Sequence, residues 1–173
     1  MLGAGTNTTG SANIPLSESE KTRFRTGVSL IRSEAYAQGY IIFNDLSKKP
    51  NASILFNLSL CQVKAGEHQA AARTLEQALQ TIPSSPPEKI ADGIYTKLRS
   101  VEKQEGEYKA PFDLELPTSS PQYARECIRR CLVDSYLEIG AWDKVRSTAT
   151  MIGETGFNNV DAALSIAKTH GDG

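Results

Sequence analysis

The chain has 173 residues, a formal net charge of −1 and a sequence pI of about 6.1. That length supports one domain with a continuous core, and the near-neutral charge argues against bulk attraction to nucleic acid or an anionic membrane. Aromatics make up only 7% of the residues against 39% for all hydrophobics, which suits helices packed through alanine and leucine better than a β-sandwich.

Residues 1–16 are rich in Gly, Ser, Thr and Asn, and the composition predicts a disordered tail. The triplet Asn7-Thr8-Thr9 is a formal glycosylation sequon of a kind common by chance. The start has neither a basic region nor an apolar core of a signal peptide. No run of about 18 apolar residues follows, so membrane insertion is not expected. Three cysteines, an odd count, point to a reducing compartment. The expected localisation is cytoplasmic.

The ordered domain is expected over 17–170. Ser17-x-x-Glu20 is a capping box that opens a helix to about Ser33, with Phe24, Gly27, Val28, Leu30 and Ile31 on one face. A second helix, about 35–47, carries Tyr36, Gly39, Tyr40, Phe43 and Leu46. A glycine inside a helix costs about 1 kcal/mol against alanine, so Gly27 and Gly39 imply close helix approach. Over 52–83, Leu55, Leu58 and Cys61 recur at helical spacing, as do Ala71, Leu75, Ala78 and Leu79. Gly66 suits the left-handed turn between the two helices, and Pro83 stops the second.

The next helix is expected over about 88–104, burying Ile90, Ala91, Ile94, Tyr95, Leu98 and Val101. Lys97, Arg99, Glu102 and Lys103 would form its solvated side. Pro111, Pro117 and Pro121 then break the pattern, and 107–120 reads as a Pro-rich loop, either an extended excursion with a short hairpin near Phe112–Leu116 or a mobile connection. A helix from Pro121 to about Ile139 follows, with Tyr123, Ile128, Leu132 and Tyr136 as its seam. Another holds Val145, Ala149 and Ile152. Asn158 or Asn159 is expected to cap a last helix through Val160, Ala163, Leu164 and Ile166, covering the open end of the stack.

Leu55-x2-Leu58-Ser59-x2-Gln62, then Ala71-x3-Leu75, Ala78 and Pro83, resembles the tetratricopeptide (TPR) pattern. Diverged versions are Gly27-x2-Leu30 with Gly39-x3-Phe43, Leu46 and Pro50, and Leu132-Val133-x2-Tyr136 with Gly140-x-Trp142 and Val145-x3-Ala149. Gly106 and Gly140 stand 34 residues apart, one such period. The resemblance covers roughly 20–155 and is strongest at 52–83. It implies an all-α fold of antiparallel helix-turn-helix repeats in a short right-handed superhelix, with a groove lined by the first helix of each pair. It further implies a non-catalytic protein–protein interaction module, a scaffold or adaptor binding a peptide or partner helix. Carried over residue by residue, the groove candidates are Lys21, Phe24, Arg25, Val28 and Arg32, then Phe56, Asn57, Leu60 and Lys64, then Arg130, Asp134, Leu137 and Glu138. The first two sets look cationic, so an acidic partner is expected, and self-association stays open. A chaperone-like or secretion factor shielding a client is the alternative. Of the carboxylate clamp in heat-shock chaperone adaptors only Asn57 matches; Phe24, Val28, Cys127 and Cys131 depart from it.

Catalytic chemistry finds little support in these residues. His68 lies in an inter-helix turn and His170 near the end, neither spaced to a nucleophile or acid. Cys127-x3-Cys131 shares a helix face, but a structural zinc needs four ligands. Gly3-Ala4-Gly5 lacks the flanking strand and helix of a phosphate loop. No catalytic residue, metal or cofactor is expected, and an enzyme on a helical scaffold is the least favoured class.

Overall fold

In the computed structural model, which describes residues 14–86 and 92–170, regular structure begins at Ser17. Its hydroxyl accepts from the Glu20 N–H at 3.2 Å, while the Glu20 carboxylate accepts from the Ser17 N–H at 2.7 Å. The capping box thus satisfies two donors of the first turn together. α1 (Glu18–Arg32) and α2 (Tyr36–Leu46) pack against each other. Gly27 is where they touch: a Cβ there would meet the Phe43 ring at 2.8 Å. Phe43 is fully buried and has no room to retreat, so only glycine permits this approach. Residues 1–13 of the expected tail lie outside the described residues, and Leu16 packs against the core.

α3 (Ala52–Lys64) starts at Asn51, whose side chain accepts from the Ile54 N–H at 2.9 Å. It turns through Gly66, at φ 79°, into α4 (His68–Thr81). Every residue from Ala52 to Cys61 is buried, so α3 is covered on all sides. α2 and α4 flank it, and a third body closes the rest.

That body is the Pro-rich segment. α4 packs directly against α7 (Pro121–Glu138), which pairs with α8 (Trp142–Ile152); α9 (Asn158–Thr169) lies on both. The pairs α1/α2, α3/α4 and α7/α8 therefore follow one another without α5 (Gly93–Gln104), which stands outside their succession. The 34-residue spacing of Gly106 and Gly140 is not a structural period, since Gly106 merely precedes a 3-10 turn at Glu107–Lys109.

α5 reverses the expected orientation. Ile94, Leu98 and Val101 are 71%, 57% and 52% exposed, while the Arg99 side chain is only 14% exposed. The cause is what α5 docks on. Glu126 of α7, Glu154, and the carbonyls of Thr155 and Gly156 all call for donors. Arg99 meets Glu126 at 2.6 Å, Lys103 meets Glu154 and the Thr155 carbonyl at 3.0 Å each, and Gln104 meets the Gly156 carbonyl at 3.0 Å. Ile90 and Ala91 lie outside the described residues.

Two smaller corrections concern α7 and α9. Tyr123 is 36% exposed, beyond the seam that Ile128, Leu132 and Tyr136 bury. α9 is preceded by Phe157, with no side-chain cap; Asn158 and Asn159 lie inside its first turn, and Asn159 meets Arg130 and Asp134 instead. Its buried line runs Val160, Ala163, Ala167, leaving Ile166 exposed. No strand occurs among the described residues, so Phe112–Leu116 forms no hairpin; α6 (Leu116–Ser119) begins there instead.

Candidate binding groove

The face formed by α1, α3 and α7 is the one the sequence nominates for binding, and a piece of the chain itself crosses it. Pro111 keeps the preceding residue extended, with Ala110 at φ −69° and ψ 140°. Helix is thereby interrupted, and residues 108–116 lie as a strap from α7 over α3 to α1.

Over α7, Tyr108 is the anchor. Its hydroxyl donates to Asp134 at 2.6 Å, and its backbone carbonyl lies 3.8 Å from the Cys131 thiol. Burial first, then the Asp134 carboxylate, raises its pKa well above the ordinary tyrosine value, so it remains a donor. The Arg130 guanidinium lies 3.9 Å from the Tyr108 ring centroid and 4.8 Å from that of Phe157. Arg130 is 2% exposed and fully engaged. It donates to Asn159 at 2.9 Å and to the carbonyls of Glu102 and Glu105 at 3.3 and 3.2 Å. Those carbonyls close the C-terminal end of α5, where a cation is favoured. Asp134 also accepts from Asn159 at 2.8 Å and pairs with Lys109 at 3.0 Å. Arg130 and Asp134 thus hold the strap and α5 in place.

Over α3 the polar contacts go to the strap's main chain. Asn57 is fully buried. Its Nδ2 donates to the Phe112 carbonyl at 2.9 Å, and its Oδ1 accepts from the Phe112 N–H at 2.8 Å. The Phe112 ring stacks on Phe56, centroids 3.7 Å apart and planes 14° from parallel. Ser53 donates to the Asp113 carbonyl at 2.8 Å.

Over α1 the fit is looser. Arg32 reaches the Asp113 carboxylate at 3.4 Å, with both side chains exposed. Lys21, Arg25 and Arg32 line a cavity of about 330 Å³ together with Asp113, Leu114 and Glu115. Lys21 pairs with Glu18 at 2.7 Å. Arg25 has no carboxylate within ion-pair distance among the described residues.

The structure therefore brings Lys21, Arg25, Arg32, Phe56 and Asn57 around residues 112–115, and Arg130 and Asp134 around Tyr108. Leu60 is buried in the core, and Lys64 sits 5.2 Å from the Tyr36 ring; neither meets the strap by a hydrogen bond or ion pair. The sequence passes over Ser53, Tyr108, Phe112, Asp113 and Asn159. The available signal was two aromatics set into a proline-broken polar stretch, which is costly to leave in water.

Elsewhere the three thiols are held in their protonated form. Burial pushes Cys61 to about 11 and Cys127 to about 12 and raises Cys131 well above the usual thiol range, so none is a ready thiolate. His170 stacks on Trp142 at 4.4 Å. No helix among the described residues is long and apolar enough to cross a membrane. The chain matches no family model, no curated protein and no solved structure.

Proposed function

We propose that the chain is a non-catalytic protein-interaction module of TPR-like build: three antiparallel helix pairs and a closing helix in a short right-handed superhelix. In this reading α1, α3 and α7 offer a shared face to a peptide or partner helix of another protein, as a scaffold or adaptor would. One observation carries it. A fully buried carboxamide, Asn57, both donates to and accepts from one residue's main chain. Such a pair recognises extended backbone whatever its side chains, and leaving it unmet would strand two buried polar groups. The cations Lys21, Arg25 and Arg32 beside it support an acidic partner.

A second reading, a chaperone-like factor that shields a client, draws on the exposed line of Ile94, Leu98 and Val101. It draws on α5 and makes no use of the Asn57 arrangement.

The test is selection of displayed peptides against the full chain. Selected peptides are expected to be acidic, and Arg25→Glu is expected to weaken them about tenfold, roughly 1.4 kcal/mol, with no change in Tm. Binders indifferent to both Arg25→Glu and Arg32→Glu would remove this face as the site.

A further inference from the structure

We infer that the groove's ligand is an extended peptide carrying an aromatic side chain followed directly by a carboxylate, and that the chain's own strap competes for the same place. This rests on the binding function proposed above, and adds the chemistry of the ligand and the control of the site.

The ligand class is legible in what the groove already holds. Its polar contacts with Phe112 and Asp113 go to main-chain atoms, at Asn57 and Ser53, or to the Asp113 carboxylate, at Arg32. Over α3 the one deeply held strap side chain is the Phe112 ring, flat against Phe56. Backbone, one aromatic ring and the acid after it are therefore the features the site reads. A peptide with those features, extended ahead of the aromatic residue and turning after the acid as this chain does, reproduces every one of these contacts.

Competition follows from the uneven fit. The aromatic end is filled: Phe112 is 2% exposed. At the acidic end, the Arg32–Asp113 pair is long and exposed, a geometry that contributes little. Among the described residues Arg25 meets no carboxylate, and about 330 Å³ beside Leu114 and Glu115 stays open. A peptide with further carboxylates after the aromatic–acid pair can keep the first contacts and gain those the strap lacks. The strap's advantage is its tether, which gives it a high effective concentration at the groove. An outside ligand then binds with an affinity reduced by the fraction of time the strap is docked. Weakening the strap raises that affinity.

The experiment titrates a fluorescein-labelled peptide with the sequence of residues 109–117 into three full-length chains: unaltered, Asp113→Lys and Phe112→Ala. Asp113 is largely exposed, so its variant is expected to fold even where loss of the buried Phe112 ring does not permit it; circular dichroism reports on both. The expected result is at least threefold tighter binding to Asp113→Lys and more than tenfold to folded Phe112→Ala. Adding Asn57→Ala to Asp113→Lys, or replacing the peptide's Phe by Ala, should abolish it. Equal affinity for all folded chains would overturn strap competition while leaving peptide binding intact. If this peptide binds no folded variant but display-selected acidic peptides still bind through Arg25, the aromatic–acid ligand class falls and the interaction module stands. If neither kind of peptide binds, both fall.

Discussion

Asn57 and Tyr108 show how single side chains turn a proline-broken stretch into ordered structure. Each offers polar atoms that would be destabilising if buried alone, and each meets its partner: Asn57 the Phe112 main chain, Tyr108 the Asp134 carboxylate. The same burial makes several groups sensitive to alkali. Cys61 and Cys127 titrate near 11 and 12 when folded, against about 9 for an unperturbed thiol. The Tyr108 and Tyr136 hydroxyls are also raised, by burial and then by Asp134 and Glu76 respectively. A raised folded pKa means that the fold favours the protonated form. Its contribution is complete below the unfolded pKa and drains away as pH climbs through the folded one. Urea midpoints should therefore be level across pH 7–8.5 and fall steadily from about 9 to 11. A midpoint as high at pH 11 as at pH 8 would contradict the burial of these groups.

At the scale of the element, α5 is the test of what an amphipathic pattern means. Its apolar spacing marks a helix correctly, because periodicity is a local property. Which side faces inward is not local. It depends on what the helix meets, and here that is Glu126, Glu154 and two loop carbonyls. Leu98→Gln should accordingly leave stability within about 0.5 kcal/mol, as for an exposed position. Arg99→Ala should cost about 2–4 kcal/mol by stranding the largely buried Glu126. The opposite ranking in thermal denaturation would return α5 to its sequence-based orientation.

The same distinction divides what the sequence tells from what it hides. Ser17-x-x-Glu20, Gly27, Gly66 and the seams of α1 to α4 are local or near-neighbour signals, and the helices they mark are there. The groove candidates Phe56, Asn57 and Arg32 are legible as one face of their helices. Their partner is not, because Phe112 lies 55 residues from Asn57 in the chain, and nothing in the spacing between them records that they meet. Arg130 and Asp134 look like free groove charges for the same reason: Tyr108, Asn159 and the end of α5 converge on them only in three dimensions.

For the whole molecule, the strap changes how the parts depend on one another. Rows of helix pairs are stabilised mainly by contacts between neighbours, so their ends can open while the rest holds. Here Asn57 is tied to Phe112, Ser53 to Asp113 and Arg32 to Asp113 across 55, 60 and 81 residues, and Tyr108 fastens the same segment to α7. A clasp that touches the first, middle and last pairs makes each one's melting a loss for all. Unfolding in urea, followed by Trp142 fluorescence and by far-ultraviolet circular dichroism, should give coincident single transitions. In Asp113→Lys combined with Phe112→Ala the two curves should separate; coincident curves in that variant would mean that neighbour contacts alone bind the row into one unit. A partner that lifted the strap would then do more than occupy a site: it would release the two ends of the molecule to breathe independently.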